Sequence, residues 1–183
     1  ALELNLGNDS ISIQYLYTGD FKDTPEVRAA AATFYNDGVE IIFGCGGSVG
    51  LAVMASAESA NKKTIGVDVD QSGDSQTVIT SAKKNLKGSV IQALEAIYKT
   101  GKWESDFGGK SVVLDASRDG VSLEMGNARF QNFKQADYDA VLAKLINGSV
   151  EVSNAIGEFG GADRFCETLA TDRVSVTYVP FGE

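Results

Sequence analysis

Histidine is absent from the 183 residues, which excludes a Ser-His-Asp triad, a Cys-His dyad and a histidine zinc site built within this chain. Most hydrolase chemistry goes with them. Cysteine occurs only as Cys45 and Cys166, far apart and in neither a CxxC nor a metal-ligand spacing, and Cys45 is expected as a small buried residue. Sixteen lysines and arginines stand against 25 acidic residues, a formal net charge of −9, and they cluster nowhere. Nucleic acid is therefore not an expected partner, because backbone binding requires many phosphates to be neutralised. No apolar run approaches the roughly 18 residues of a membrane-spanning helix. The opening Ala1-Leu-Glu-Leu-Asn-Leu6 carries a charge and lacks the basic start and apolar stretch of a signal peptide. No repeat, linker or low-complexity tract stands out. Residues 1–183 are read as a single α/β ligand-binding lobe.

What is present alternates. Ile11 to Tyr17 is β-rich; Thr24 then offers an N-cap, Pro25 a first helical position, and Val27, Ala30, Ala31, Phe34 and Tyr35 recur at helical spacing before Asn36-Asp37-Gly38. The unit repeats as strand 39–43, glycine loop, helix from about Ser48 to Ala60, and strand 64–67. Alternation of this kind predicts a Rossmann-like, mainly parallel sheet with helices on both faces. Strands 11–17, 39–43, 64–67 and 78–80 are expected in one sheet. Beyond them the pattern predicts a helix from Leu86 to Thr100 with Val90, Ala93, Leu94 and Ile97 on one face. A strand at Ser111–Leu114, a turn at Asp119-Gly120, a strand at Val121–Leu123, a helix over 133–146, a short strand or extended segment at Val150–Val152 and a strand at Val174–Val179 follow. The stretch 153–172 is not readable.

Two strand ends carry chemistry. Phe43-Gly44-Cys45-Gly46-Gly47-Ser48-Val49-Gly50 runs from a strand through glycines into a helix, which aims backbone N–H groups at the mouth of a parallel sheet. Gly46 and Gly47 permit close approach of a ligand hydroxyl. The spacing fails as a dinucleotide fingerprint, because Val49 stands where G-x-G-x-x-G needs its third glycine, although Asp68 lies about 20 positions on. Asp68, and Asp70 if the strand continues, offer carboxylates that accept hydrogen bonds from a vicinal diol. Phe21, an aromatic in a strand-to-helix loop, is placed where recognition residues concentrate. Turn geometry, helix capping and surface solvation are the plain alternatives for these same residues.

Taken in order, these motifs resemble the basic membrane protein family of PnrA-like lipoproteins, nucleoside-binding components of ABC transporters. The resemblance runs from about Ile11 to Val152. It rests on Tyr17-Thr-Gly-Asp-Phe21-x-Asp23, Gly38 to Phe43 with Cys45-Gly-Gly-Ser48, Gly66-Val-Asp68-Val-Asp70-Gln71, Thr80-Ser81-x-x-Lys84 and Asp119-Gly-Val-x-Leu123. It implies one lobe of a type I periplasmic-binding-protein fold, similar to the C-terminal lobe, with the N-terminal lobe and its base-recognition motif without a counterpart here. By resemblance Phe21 stacks on the nucleobase, Gly46 and Gly47 meet the ribose, Asp68 with Asp70 in reserve accepts from the sugar hydroxyls, and Lys84 donates to them. The implied protein is not an enzyme, takes no cofactor or metal, binds a nucleoside between two lobes, and docks on a transporter permease. It is extracytoplasmic, held by a lipid anchor outside this chain. A sugar-responsive repressor effector lobe of the same fold and an NAD-type oxidoreductase domain are the rival readings. A chain holding only one face of such a site is expected to bind more weakly than a two-lobe protein.

Overall fold

The computed structural model describes residues 10–152, 166 and 169–182. The elements are β1 (Ile11–Leu16), α1 (Pro25–Asn36), β2 (Ile41–Phe43), α2 (Val49–Ala60), β3 (Lys63–Asp68), β4 (Val78–Lys84), α3 (Leu86–Tyr98), α4 (Trp103–Asp106), β5 (Val121–Leu123), α5 (Gln135–Ile146) and β6 (Val174–Val179). The protein is α/β with mainly parallel sheets. Its chain divides into two compact units, one of residues 1–21 and 151–183, the other of residues 22–150.

In the first unit β1 pairs in parallel with β6, from Ile11↔Val174 to Leu16↔Val179. The expectation that strand 11–17 shares a sheet with the next three is therefore corrected. Its ladder is taken by a segment about 160 residues away, a choice that local periodicity does not reveal. Most of the unread stretch 153–172 lies outside the described residues.

The second unit carries a four-stranded sheet in the order β2-β3-β4-β5, parallel from β2 to β4 and antiparallel at β5. Helix α1 starts as its sequence dictates, with Thr24 Oγ1 accepting from the Val27 N–H at 3.3 Å and Pro25 in the first turn. It buries Val27, Ala31 and Tyr35, and α2 buries Ala52, Val53 and Ala57. Small side chains let the two helices approach closely, and Tyr35 ties α1 to β3 by donating its O–H to the Lys63 carbonyl at 2.8 Å.

Three more expectations change. Strand β4 does not stop at Thr80 but runs to Lys84, because Ser81–Lys83 pair with β3 and its last residues also pair with β5, Lys84 opposite Val121. Ser111–Leu114 is irregular, and the Val113 carbonyl accepts from Arg118 Nη1 at 3.2 Å. Of the two readings of Val150–Val152, a short strand or an extended segment, the strand is not formed. Helix α3 exists as the pattern predicts, but among its described residues only Ala96 is buried, while Val90, Leu94 and Ile97 remain substantially exposed.

Candidate functional site

Because β2, β3 and β4 are parallel neighbours, their carboxyl ends fall on one edge. There the sheet delivers the glycine loop, Asp68 and Lys84. The glycine loop is tight: the Cys45 N–H donates to the Phe43 carbonyl at 3.1 Å and the Gly46 N–H to the Gly44 carbonyl at 3.1 Å. Gly47 has φ 54, the left-handed region that glycine enters without strain. A Cβ on Gly44 would lie 3.0 Å from the Gly50 Cα, so the packing glycines are 44 and 50, a pair that spacing alone did not single out. Ser48 stands at the N-cap of α2 but uses its Oγ to accept from the Asp23 N–H at 3.0 Å, pinning the loop before α1 to the glycine loop. Cys45, expected buried, is exposed. It lies two residues past the end of β2, where the turn carries the chain off the sheet and out of the core.

Asp68 closes β3 in an uncommon conformation. Its φ is 70, and the Val69 N–H donates across it to the Val67 carbonyl at 2.8 Å. That is a three-residue γ-turn with positive φ at its apex, a rare and strained form, and a non-glycine residue held there costs roughly 1–3 kcal/mol. The strand therefore does not continue to Asp70, and the two carboxylates part company. Asp68 Oδ1 is shielded from solvent and faces Lys84 Nζ at 2.7 Å, while the side chain as a whole keeps 42% exposure. The carboxylate beside it holds the Lys84 ammonium above its ordinary pKa of 10.5, mainly through their hydrogen bond and then through charge, with a smaller contribution from Cys45. Asp70 is spent on the loop: Oδ1 accepts from the Ser72 N–H at 2.9 Å and Oδ2 from Asn127 Nδ2 at 2.7 Å. Those two bonds, the Ser72 N–H first, hold its pKa below the ordinary carboxylate value.

Alternation along β4 separates its two final lysines. Lys84 meets Asp68, and Lys83 forms a 2.6 Å ion pair with Glu124, which is buried. The Lys83 bond, and behind it the Asn127 N–H, lowers the Glu124 pKa from its ordinary 4.5. A depressed carboxylate contributes stability that is present above its unfolded pKa and lost as pH falls through the folded one. Thermal stability is thus expected to fall on acidification through the carboxylate range, and Glu124→Gln should flatten that decline while lowering stability at neutral pH. Parallel melting curves of the two proteins check it, and curves of identical shape would remove Glu124 from the acid limb.

Thr80 and Ser81 are structural. Thr80 Oγ1 donates to the Glu124 carbonyl at 2.6 Å, and the fully buried Ser81 accepts from the Gln71 N–H at 3.0 Å. Asn85, which sequence reasoning passed over, joins three parts of the edge. Its Oδ1 caps α3 by accepting from the Gly88 N–H at 2.9 Å, and its Nδ2 donates to the Asp119 carbonyl at 3.0 Å and to Asp119 Oδ2 at 3.2 Å. The legible signal was the Asp119-Gly120 turn, which lands beside Lys84 because β5 is antiparallel to β4. Asp68, Asp70, Lys83, Lys84, Asn85 and Asp119 line an open groove of about 470 Å³, while Gly46 and Gly47 lie outside its lining. A second cleft of about 450 Å³, between α1 and α2, is lined largely by alanines and serines and gathers none of the strand-end groups. Phe21 belongs to the other unit, where it is 72% exposed on the loop after β1. Among the described residues no group of three or more His, Cys, Asp or Glu could hold a metal ion. No described helix is long and apolar enough to cross a membrane.

The chain has known relatives. The family model described as Bmp, ABC transporter substrate-binding protein PnrA-like, matches residues 6–155. Basic membrane protein D of Borreliella burgdorferi (strain JD1) is 30% identical over 151 residues, which cover 79% of this chain and 43% of that protein. The ABC transporter nucleoside-binding protein BmpA of Lactococcus lactis subsp. cremoris (strain MG1363) is 29% identical over 136 residues, 64% of this chain and 38% of its own. Among solved structures, the ABC transporter system solute-binding protein from Conexibacter woesei DSM 14684 superposes with a TM-score of 0.56 at 25% identity, covering 75% of this chain and 45% of that one. The chain spans less than half the length of the relatives it matches. The matched residues include the glycine loop, Asp68 and Lys84, and the chain belongs to the Bmp family of PnrA-like ABC transporter substrate-binding proteins.

Proposed function

We propose that this chain supplies the sugar-binding half of a nucleoside receptor for an ABC uptake system. The observation that carries the reading is the Asp68–Lys84 pair, 2.7 Å apart at the carboxyl edge beside the glycine loop. A carboxylate can accept from both hydroxyls of a cis-diol, and an ammonium donates without accepting, so the two together match the alternating donors and acceptors of a ribose. The nucleoside assignment draws on the lactococcal relative, named for nucleoside binding. In this reading Gly46 and Gly47 let a sugar hydroxyl approach the backbone. Asp70 stays in reserve, because Ser72 and Asn127 each already take one of its oxygens. Family members are substrate-binding transport proteins, so the chemistry is capture and release. Binding between two lobes, selection of the closed form, docking on a permease and tethering by a lipid anchor complete the proposal.

The test is a nuclear magnetic resonance titration of this chain with purine nucleosides, free ribose and NAD. Nucleosides and ribose should move the Gly47 amide and the Lys84 side chain, nucleosides at lower concentration. Resonances that ignore both would overturn the reading, and a stronger response to NAD would return the dinucleotide alternative.

A further inference from the structure

The γ-turn at Asp68 is strained, yet everything around it is fastened, and one side chain does most of the fastening. Strand β2 ends at Phe43, paired with Ile65, so β3 runs on past it without a β2 partner. At that point the Val67 N–H is taken by a side chain, donating to Gln71 Oε1 at 2.8 Å. The same residue is held from behind: its N–H donates to Ser81 Oγ at 3.0 Å, its carbonyl accepts from the Asp74 N–H at 3.0 Å, and its Nε2 donates to Asp74 Oδ2 at 3.2 Å. The brace is also packed without slack. A Cβ on Gly66 would lie 2.5 Å from Ser81 Oγ and 3.0 Å from Gln71 Cβ, so the glycine of Gly66-Val-Asp68 is required to let Gln71 lie against the strand. Strained backbone persists where the surrounding structure over-determines it, and such sites concentrate at ligand clamps.

We propose that Gln71 is the positioning residue of this site, holding the γ-turn whose apex is Asp68 and so setting where that carboxylate meets Lys84. It touches no ligand. Without the Gln71 acceptor the Val67 N–H loses its fixed direction, the turn relaxes toward ordinary negative φ, and the Asp68 carboxylate swings off the groove. The inference rests on the nucleoside reading for its purpose, but its test does not.

The probe is acylation of lysines by an N-hydroxysuccinimide ester at mildly alkaline pH, read peptide by peptide. Paired ammonium groups react slowly, and Lys99, paired with Glu95 at 2.8 Å on α3, serves as the reference within each sample. Asp68→Asn, whose amide tolerates positive φ, sets the full effect of losing the pair: a several-fold rise in the Lys84 to Lys99 ratio. Gln71→Met keeps the volume and removes the acceptor, and it should raise the ratio nearly as far. Gln71→Glu combined with Asp74→Asn restores an acceptor without placing two carboxylates together, and it should bring the ratio back toward the parent. A merely structural Gln71 would raise Lys84 and Lys99 reactivity together, with no change in the ratio. An unchanged ratio in a folded Gln71→Met protein overturns the proposal. A raised ratio with rescue supports it whether or not nucleosides bind, and failure of the nucleoside titration alone would remove only the ligand.

Discussion

Asp68→Ala is expected to weaken nucleoside binding by two to four powers of ten while leaving the protein folded. The fold survives because Asp68 is partly exposed and its described charge contact is an ion pair with a Lys84 side chain that is itself 58% exposed. Pairs of that kind contribute about 0–1 kcal/mol to stability. Binding does not survive, because a carboxylate accepting from two ribose hydroxyls makes two charge-assisted hydrogen bonds, each worth roughly 1.5–3 kcal/mol, and 1.4 kcal/mol is a factor of about ten. Removing it also leaves Lys84 without its counter-charge in the groove. Alanine at φ 70 keeps the backbone strain, whereas Asp68→Gly relieves it, so the glycine variant should be the more stable of the two and bind no better. Calorimetric or resonance titration of both variants, with melting curves alongside, checks the prediction. Affinity within threefold of the parent would remove Asp68 from the site, and Asp70→Ala would then be the next variant to measure.

Much of this edge was legible because local rules and tertiary structure agree there. Thr24 and Pro25 announce the start of α1, a short hydrophobic run into glycines announces a strand feeding a helix, and Gly66 to Gln71 places carboxylates at the next strand end. Which of Lys83 and Lys84 meets Asp68 was not legible from their neighbourhood, since both follow Ser81; it depends on the tertiary placement of Glu124, which takes Lys83 and leaves Lys84 to Asp68. The extension of β4 to Lys84 draws on β3, which pairs with Ser81–Lys83, and on β5, more than 30 residues later, which alone pairs with Lys84. The parting of Asp68 from Asp70 was hidden for a similar reason. It depends on a turn held by a glutamine side chain, and no period of two or 3.6 encodes a γ-turn. The pairing of β1 with β6 and the exposure of α3's apolar stripe likewise depend on which distant surfaces meet, and a pattern of residues reports only that a face is apolar.

Gly120→Ala is expected to be among the most destabilising single methyl additions in the second unit, at about 3 kcal/mol or more, the top of the usual overpacking range, against the ~1 kcal/mol of an average substitution. The added Cβ would lie 2.0 Å from the Leu114 carbonyl oxygen and 2.3 Å from its carbon. These are backbone atoms with no rotamer to change. Nor can Gly120 itself retreat, because both of its own backbone groups are committed: its N–H donates to the Asp115 carbonyl at 2.8 Å, and its carbonyl accepts from the Asn85 N–H at 2.9 Å. Relief therefore requires giving up one of those bonds, and the bond to Asn85 is the last rung between β4 and the turn that starts β5. Asn85 follows Lys84, and its side chain bridges to Asp119, so breaking this rung displaces the lysine end of the groove as well. The predicted pattern is a large loss in denaturant midpoint together with weakened ligand binding in whatever fraction remains folded. Gly73→Ala is the matched control, since nothing lies within 4 Å of its added Cβ and its φ is not positive; it should change stability by no more than about 0.5 kcal/mol. If the two substitutions cost the same, the contact between Gly120 and Leu114 does not exist in solution, and the β4–β5 junction must then hold Lys84 in some other way.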